Sequence, residues 1–310
     1  MSALSDAIYT QYIDNFAALP FDKQFHFASR LYLYSGNTET EQILEQLRPE
    51  FTHNDSPALA FRDIVDAAAA SPVHGSKNAS ELRRPYFEKY PTLKVSVMLL
   101  FRLAFLRSIY GIDARTEFFD ICPPAELDQL YAELSHDTAA VAVLSTHAIN
   151  FFYLYRRFAL QDESGIDPAD YIAIAHSDYD STDKLHLQLC IYLYTHCIIG
   201  ESMFYSRQLP ETHLPVYQQM IQELEILITD NFTSINLDNK FEFLVCTRMV
   251  GLTSPLEAAI YDEAAKSISD EGTYLIDKHN DHPQTDNISL DKSEHRNVLF
   301  IMSHSPFRAS

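Results

Sequence analysis

Two apolar stretches of this chain carry the same dipeptide: "LSTHAINFFYLYRR" contains Thr146-His147, and "LYTHCIIGESMFYSR" contains Thr195-His196. An imidazole with a pKa near 6.5 suits proton transfer at neutral pH, and it is also a common metal ligand. His147 and His196 are 49 residues apart, and His295 follows 99 residues later, close to twice that interval. Three imidazoles meeting at one centre with an open coordination position would suit zinc, whereas a neutral one would serve as a general acid or base. His147, His196 and His295 are therefore the candidate catalytic set. No cofactor is demanded by the sequence, and zinc is the metal this set would fit. The competing account is structural. His196 shares a helix face with Leu189, Tyr192, Leu193, Ile199 and Met203, as a hydrogen-bonded core histidine does.

Glu201 joins the catalytic candidates as the sole acidic residue between Lys184 and Glu211. Burial would raise its pKa towards that of a working acid. Alternatively it reaches solvent from the helix end or pairs with Arg207. Polar residues beside the histidines make up the candidate ligand-binding set: Thr146, Asn150, Thr195 and Thr247, with Arg296 and Asn297 next to His295. Arg296 is suited to a ligand's carboxylate or phosphate, or to a neighbouring Asp. The segment from 271 to 306 holds His279, His282, His295 and His304, with Asp277 and Asp281 between. There the His-x-x-His spacing lies in a polar, proline-containing loop and reads as solvated. Arg83-Arg84 and Arg156-Arg157 read as solvated helix ends.

The elements that must position these groups are helical. Apolar residues recur at helical spacing throughout, and no alternating strand pattern is found. Helices are expected over 5–18, 21–34 and 38–48, and after Ser56, with Pro57 at the first helical position. Residues 71–92, "SPVHGSKNASELRRPYFEKYPT", form the least regular stretch and read as an exposed connection or lid. From 93 onward, helices apolar on nearly all sides (93–110, 138–160, 184–206, 238–251 and "SEHRNVLFIMS") alternate with segments bearing one charged face. The former belong inside and the latter outside. Aligning "RMVG" with "CIIG" puts Thr247 at the histidine station of the intervening helix, and counting back from His147 reaches Met98. A beat of about fifty residues with one inner and one outer helix predicts stacked helical hairpins.

This pattern resembles the α/α-toroid superfamily, the six-hairpin architecture of terpenoid cyclases, several glycosidases and lanthionine cyclases. The resemblance implies an all-α fold in which inner and outer helices form a closed or nearly closed α/α barrel, with residues 93–304 as the hairpin repeats. Residues 1–70 would add N-terminal helices, 71–92 the connection, and the whole chain one domain. The Thr-His helices also resemble those of uncharacterised bacterial toroid-like proteins, from which no activity carries over. The motifs of the characterised members are missing: there is no DDxxD run, and seven glycines with a reversed His196-Cys197 do not suit lanthionine cyclases. Gly-rich phosphate loops, GxSxG and HExxH are absent as well.

Composition narrows the partners. The formal net charge of −20 repels phosphate backbones and anionic membrane surfaces, so neither nucleic acid nor membrane is expected. Cys122, Cys190, Cys197 and Cys246 form no CxxC pair, and the N-terminus lacks a basic region before an apolar core. Both features point to a cytoplasmic protein with reduced thiols. The charge-free window Thr138 to Tyr155 reads as a core helix rather than a membrane span. The expected function is an enzyme or small-molecule-binding protein with a histidine-lined axial cavity. A helical-repeat scaffold that binds a peptide or protein is the alternative. Carbohydrate processing is a third reading by fold analogy, weakened by the absence of tryptophan. Oligomeric state is not encoded in any pattern found.

Overall fold

Asx residues start several of the helices. Asp137 accepts from the Ala140 amide at 3.0 Å, Asp167 from Ala169 at 3.0 Å, Asp183 from Leu185 at 2.7 Å, and Asn236 from Asn239 at 2.9 Å. Each cap satisfies an amide that the first helical turn leaves without a partner. Asp183, at the end of the acidic run "HSDYDSTD", is the cap of the helix that follows. The computed structural model describes residues 3–70, 77–180, 182–269, 273–276 and 289–308. Among them are fifteen α-helices and no strand, apart from an isolated bridge between Ile268 and Leu275. The all-α expectation holds.

The chain divides into two compact units, Met1–Glu45 with Phe204–Ser310, and Gln46–Met203.

The first unit contains α1 (Ala3–Asp14), α2 (Phe21–Ser35) and the start of α3 (Thr38–Phe51). It continues with α12 (Leu214–Asp230), α13 (Leu237–Met249), α14 (Glu257–Lys266) and α15 (Glu294–Ser303). Here α13 packs against α12, α14 and α15, and α15 also lies on α1 and α2. Nearly every side chain of α13 is buried, whereas α12 buries one stripe: Tyr217, Met220, Ile221, Leu224 and Ile228. The contrast between inner and outer helices is therefore seen as burial.

The second unit contains α4 (Pro57–Ala70), α5 (Lys77–Lys89), α6 (Leu93–Tyr110), α7 (Arg115–Ile121), α8 (Pro124–Ser135), α9 (Thr138–Leu154), α10 (Pro168–Asp178) and α11 (Lys184–Glu201). Its centre is α9, which meets α11, α6, α5, α8 and α10. The proposed lid is corrected here. Residues 71–76 lie outside the described residues, and 77–89 form the regular helix α5 despite Pro85. Packing on α9 holds the helix where its prolines had suggested a loop.

Two departures from ideal geometry mark α9. Ser145 has non-helical angles, φ 14° and ψ −84°, immediately before Thr146-His147. Two carbonyls near this break find new donors. Tyr179 donates its hydroxyl to Ala142 at 2.9 Å, and Arg83 donates Nε to Val143 at 3.2 Å. A kink of this kind survives because side chains replace helical partners. Downstream, Tyr155–Ala159 form one π-turn. The window Thr138–Ala159 is long and apolar enough to cross a membrane by composition, yet 72% of it is buried inside the protein. That burial is the signature of a core helix.

Gly200 allows α9 and α11 to approach closely. A Cβ there would lie 2.5 Å from Cγ of the fully buried Tyr153. Gly251, its partner in the "CIIG"/"RMVG" alignment, instead has φ +72° and open space around it, which suits a left-handed turn after α13. The two glycines answer different constraints.

Candidate functional site

The sequence-predicted histidines fall in different settings. His147 on α9 and His196 on α11 belong to the second unit, and His295 on α15 to the first. His147 meets the edge of Phe87 at 5.1 Å, and its buried Nδ1 has no hydrogen-bond partner among the described residues. Burial lowers its pKa to about 4, with the charges of Arg83 and Lys94 acting in the same sense. His196 donates Nδ1–H to Asn150 Oδ1 at 2.8 Å and lies beside Tyr192. Asn150 is one turn beyond His147 on α9, so the two imidazoles occupy neighbouring turns with different partners.

The threonines predicted to bind ligand serve the backbone. Thr195 donates to the Ile191 carbonyl and Thr247 to that of Phe243, both at 2.8 Å and both buried. Thr146 is half-buried and makes no side-chain hydrogen bond among the described residues. Asn297 is also consumed. It accepts from the Leu275 amide at 2.8 Å and donates to the carbonyls of Leu275 and Ser293 at 3.0 and 2.8 Å. It clamps the short bridge at Ile268 and Leu275 onto α15.

Glu201 neither reaches solvent nor has Arg157 as a mere bystander. Both its oxygens accept from Arg157 Nη2 at 3.0 Å, and both residues are buried. This corrects one expectation: Arg157 is not a solvated helix end but an internal partner of Glu201. The π-turn supplies the physical reason, because it carries Arg157 inward while its neighbour Arg156 pairs with Asp162. In this geometry both carboxylate oxygens of Glu201 serve as acceptors to a buried guanidinium.

The most developed polar cluster lies in the first unit. His295 donates Nδ1–H to Asp238 Oδ1 at 3.1 Å. Arg296 grips the other oxygen, Oδ2, through Nε at 2.9 Å and Nη2 at 2.7 Å. Arg296 thus takes the neighbouring-Asp role foreseen for it. Burial opposes ionisation of Asp238, but the hydrogen bond from His295 and the charge of Arg296 prevail and lower its pKa to about 2. Burial likewise opposes a charged His295, and the hydrogen bond and charge of Asp238 outweigh it, so the pKa rises above 6.5. The side chain of His295 keeps 44% of its surface open, and Nε2 has no partner among the described residues.

His26 on α2 stands 5.6 Å from His295, ring centre to ring centre. Its Nδ1–H donates to the buried Glu294 at 2.8 Å, and its Nε2 accepts from Arg30 at 3.3 Å. Burial lowers its pKa against the pull of Glu294. Neither His26 nor Asp238 was singled out from the sequence. The available signals were a lone acid in the first turn of an apolar helix and a histidine within "FDKQFHFASR".

His279, His282, Asp277 and Asp281 lie outside the described residues. His304 stacks on Tyr261 at 4.1 Å and donates to the Phe300 carbonyl, a packing role. Among the described residues, no group of three His, Cys, Asp or Glu side chains is placed to hold a metal ion. Comparison with family models, with curated proteins and with solved structures finds no match to this chain.

Proposed function

We propose that the first unit carries an acid–base site centred on His295, and that the protein is an enzyme acting on a small polar molecule. One observation carries the reading: a carboxylate anchored by arginine orients the imidazole through Nδ1 and leaves Nε2 unpartnered on a partly exposed side chain. This is the orienting logic of carboxylate–histidine pairs, in which the far nitrogen does the proton transfer. The raised pKa favours the protonated form relative to an ordinary imidazole, and that form donates from Nε2 while Nδ1–H stays on Asp238. His26, held neutral with both nitrogens engaged, does not compete for the proton. Two neighbouring imidazoles pushed to opposite sides of 6.5 support separate roles. The closed α/α ring over residues 93–304 remains part of the proposal, supported by the alternation of all-round apolar and one-faced helices. A reducing, cytoplasmic location also belongs to the proposal, resting on the cysteine spacing, which has no CxxC pair.

The test is a screen of model esters, phosphoesters, amides and glycosides on native protein and on His295→Gln. Loss of acid–base catalysis is expected to lower any turnover found by about 10²–10⁴-fold. Asp238→Asn should bring the His295 pKa, followed by NMR, back towards 6.5. Turnover that survives His295→Gln, or a native His295 pKa at or below 6.5, would refute the proposal.

A further inference from the structure

Three basic side chains meet in the second unit without a counter-ion. Arg83 from α5 has its Nε on the Val143 carbonyl, and neither it nor Lys94 from α6 forms an ion pair among the described residues. The ammonium of Lys94 lies 4.0 Å from the centre of the Phe87 ring, and the edge of the same ring touches His147 on α9 at 5.1 Å. One aromatic side chain therefore gathers groups from three helices. Every group is at least half-buried, and the adjoining stretch 71–80 contains no carboxylate. In a chain of net charge −20, a counter-ion would have been easy to provide.

The physical oddity is mutual repulsion. Burial lowers the pKa of Lys94 and of Arg83, and the charge of Arg83 lowers that of Lys94 further. Among the described residues, the other titratable groups acting on Arg83 are the hydroxyls of Tyr179 and Tyr192 rather than a carboxylate. Half-buried like charges of this kind are disfavoured unless something negative completes them. His147 adds a neutral ring whose buried Nδ1 lacks a partner.

We infer that Arg83, Lys94 and the Nδ1 of His147 form an anion-binding site for a phosphate group, either inorganic phosphate or a small phosphomonoester. Two cations match a dianion in charge. Both Nη atoms of Arg83, with Nε already engaged, suit two oxygens of one phosphate. A neutral imidazole supplies a third donor without a further charge. The site lies wholly in the second unit and does not depend on the acid–base reading of the first.

The experiment is calorimetric titration of the full chain with inorganic phosphate at constant ionic strength, with acetate as the monoanion control. The His147 imidazole resonances are followed in parallel. Saturable binding of phosphate and not of acetate is expected, with an upward shift of the His147 pKa on saturation. Lys94→Gln should weaken binding by about tenfold or more at unchanged melting temperature, since Lys94 touches only an aromatic ring. Arg83→Gln should weaken it similarly, with some loss of stability from the Val143 carbonyl. Absence of saturable phosphate binding, equal response to acetate, or native affinity in Lys94→Gln would each overturn the assignment. Tighter binding of a phosphomonoester than of inorganic phosphate would identify the organic ligand class.

Discussion

Breaking the buried pair of Arg157 and Glu201 gives the sharpest test of the packing described here. The contacts are 3.0 Å to each carboxylate oxygen, with Arg157 2% exposed and Glu201 0%. Arg157 also donates Nη1 to the Asp162 carbonyl at 2.8 Å, while its Nε has no partner. Glu201→Gln preserves shape and one acceptor but strands a guanidinium in the interior, a change that costs about 3–5 kcal/mol in comparable sites. The retained amide oxygen places the expected loss near 3 kcal/mol. Arg157→Met removes the guanidinium from Glu201 and the bond to the Asp162 carbonyl, and is expected to cost about 3–5 kcal/mol on the same scale. Replacing both, Arg157→Met with Glu201→Leu, removes the stranded charge and is expected to cost less than either single change. Urea unfolding, read from midpoint shifts at constant slope together with hydrogen exchange in α9 and α11, measures all three. A loss under about 1 kcal/mol for Glu201→Gln, or a double variant worse than the sum of the singles, would refute the argument.

Gly200→Ala should destabilise the second unit by about 1–3 kcal/mol, although alanine is the better helix former, because Tyr153 has no room to retreat. Thermal melting checks this, and Gly200→Ala with Tyr153→Leu should recover part of the loss. The histidines make opposite demands on pH. His147 has a folded pKa of about 4, below its unfolded 6.5, so its contribution is present above pH 6.5 and is lost as the pH falls towards 4. The loss is at most about 3 kcal/mol, and His147→Asn should flatten that limb of a urea-stability profile. His295 has a raised pKa, so its contribution is present below pH 6.5 and fades as the pH rises through its folded value. His295→Gln should flatten the alkaline limb.

Helices were legible because their signals are local. The expected 93–110 matches α6, and the expected starts at 21, 38, 138 and 184 match α2, α3, α9 and α11. Caps and periodicity act within a turn or two of the residues that carry them. Where competing local signals met, as in "ELRRPYFEK", proline and charge suggested a loop while packing on α9 kept a helix.

Partnerships were not legible. Asp238 and His295 are 57 positions apart, His26 and Glu294 are 268, and Arg157 and Glu201 are 44. Nothing in a one-dimensional pattern selects one such pairing over another. The kink at Ser145 and the cations near His147 had no counterpart in the Thr-His pattern. By itself the sequence determined helical class, several helix starts and which faces are apolar, since these follow from residue type and 3.6-residue spacing. Only tertiary packing decided which charges are buried together, which histidine is oriented by a carboxylate and which is left beside two cations. Desolvation and Coulomb energy depend on distances that exist only once the helices are assembled.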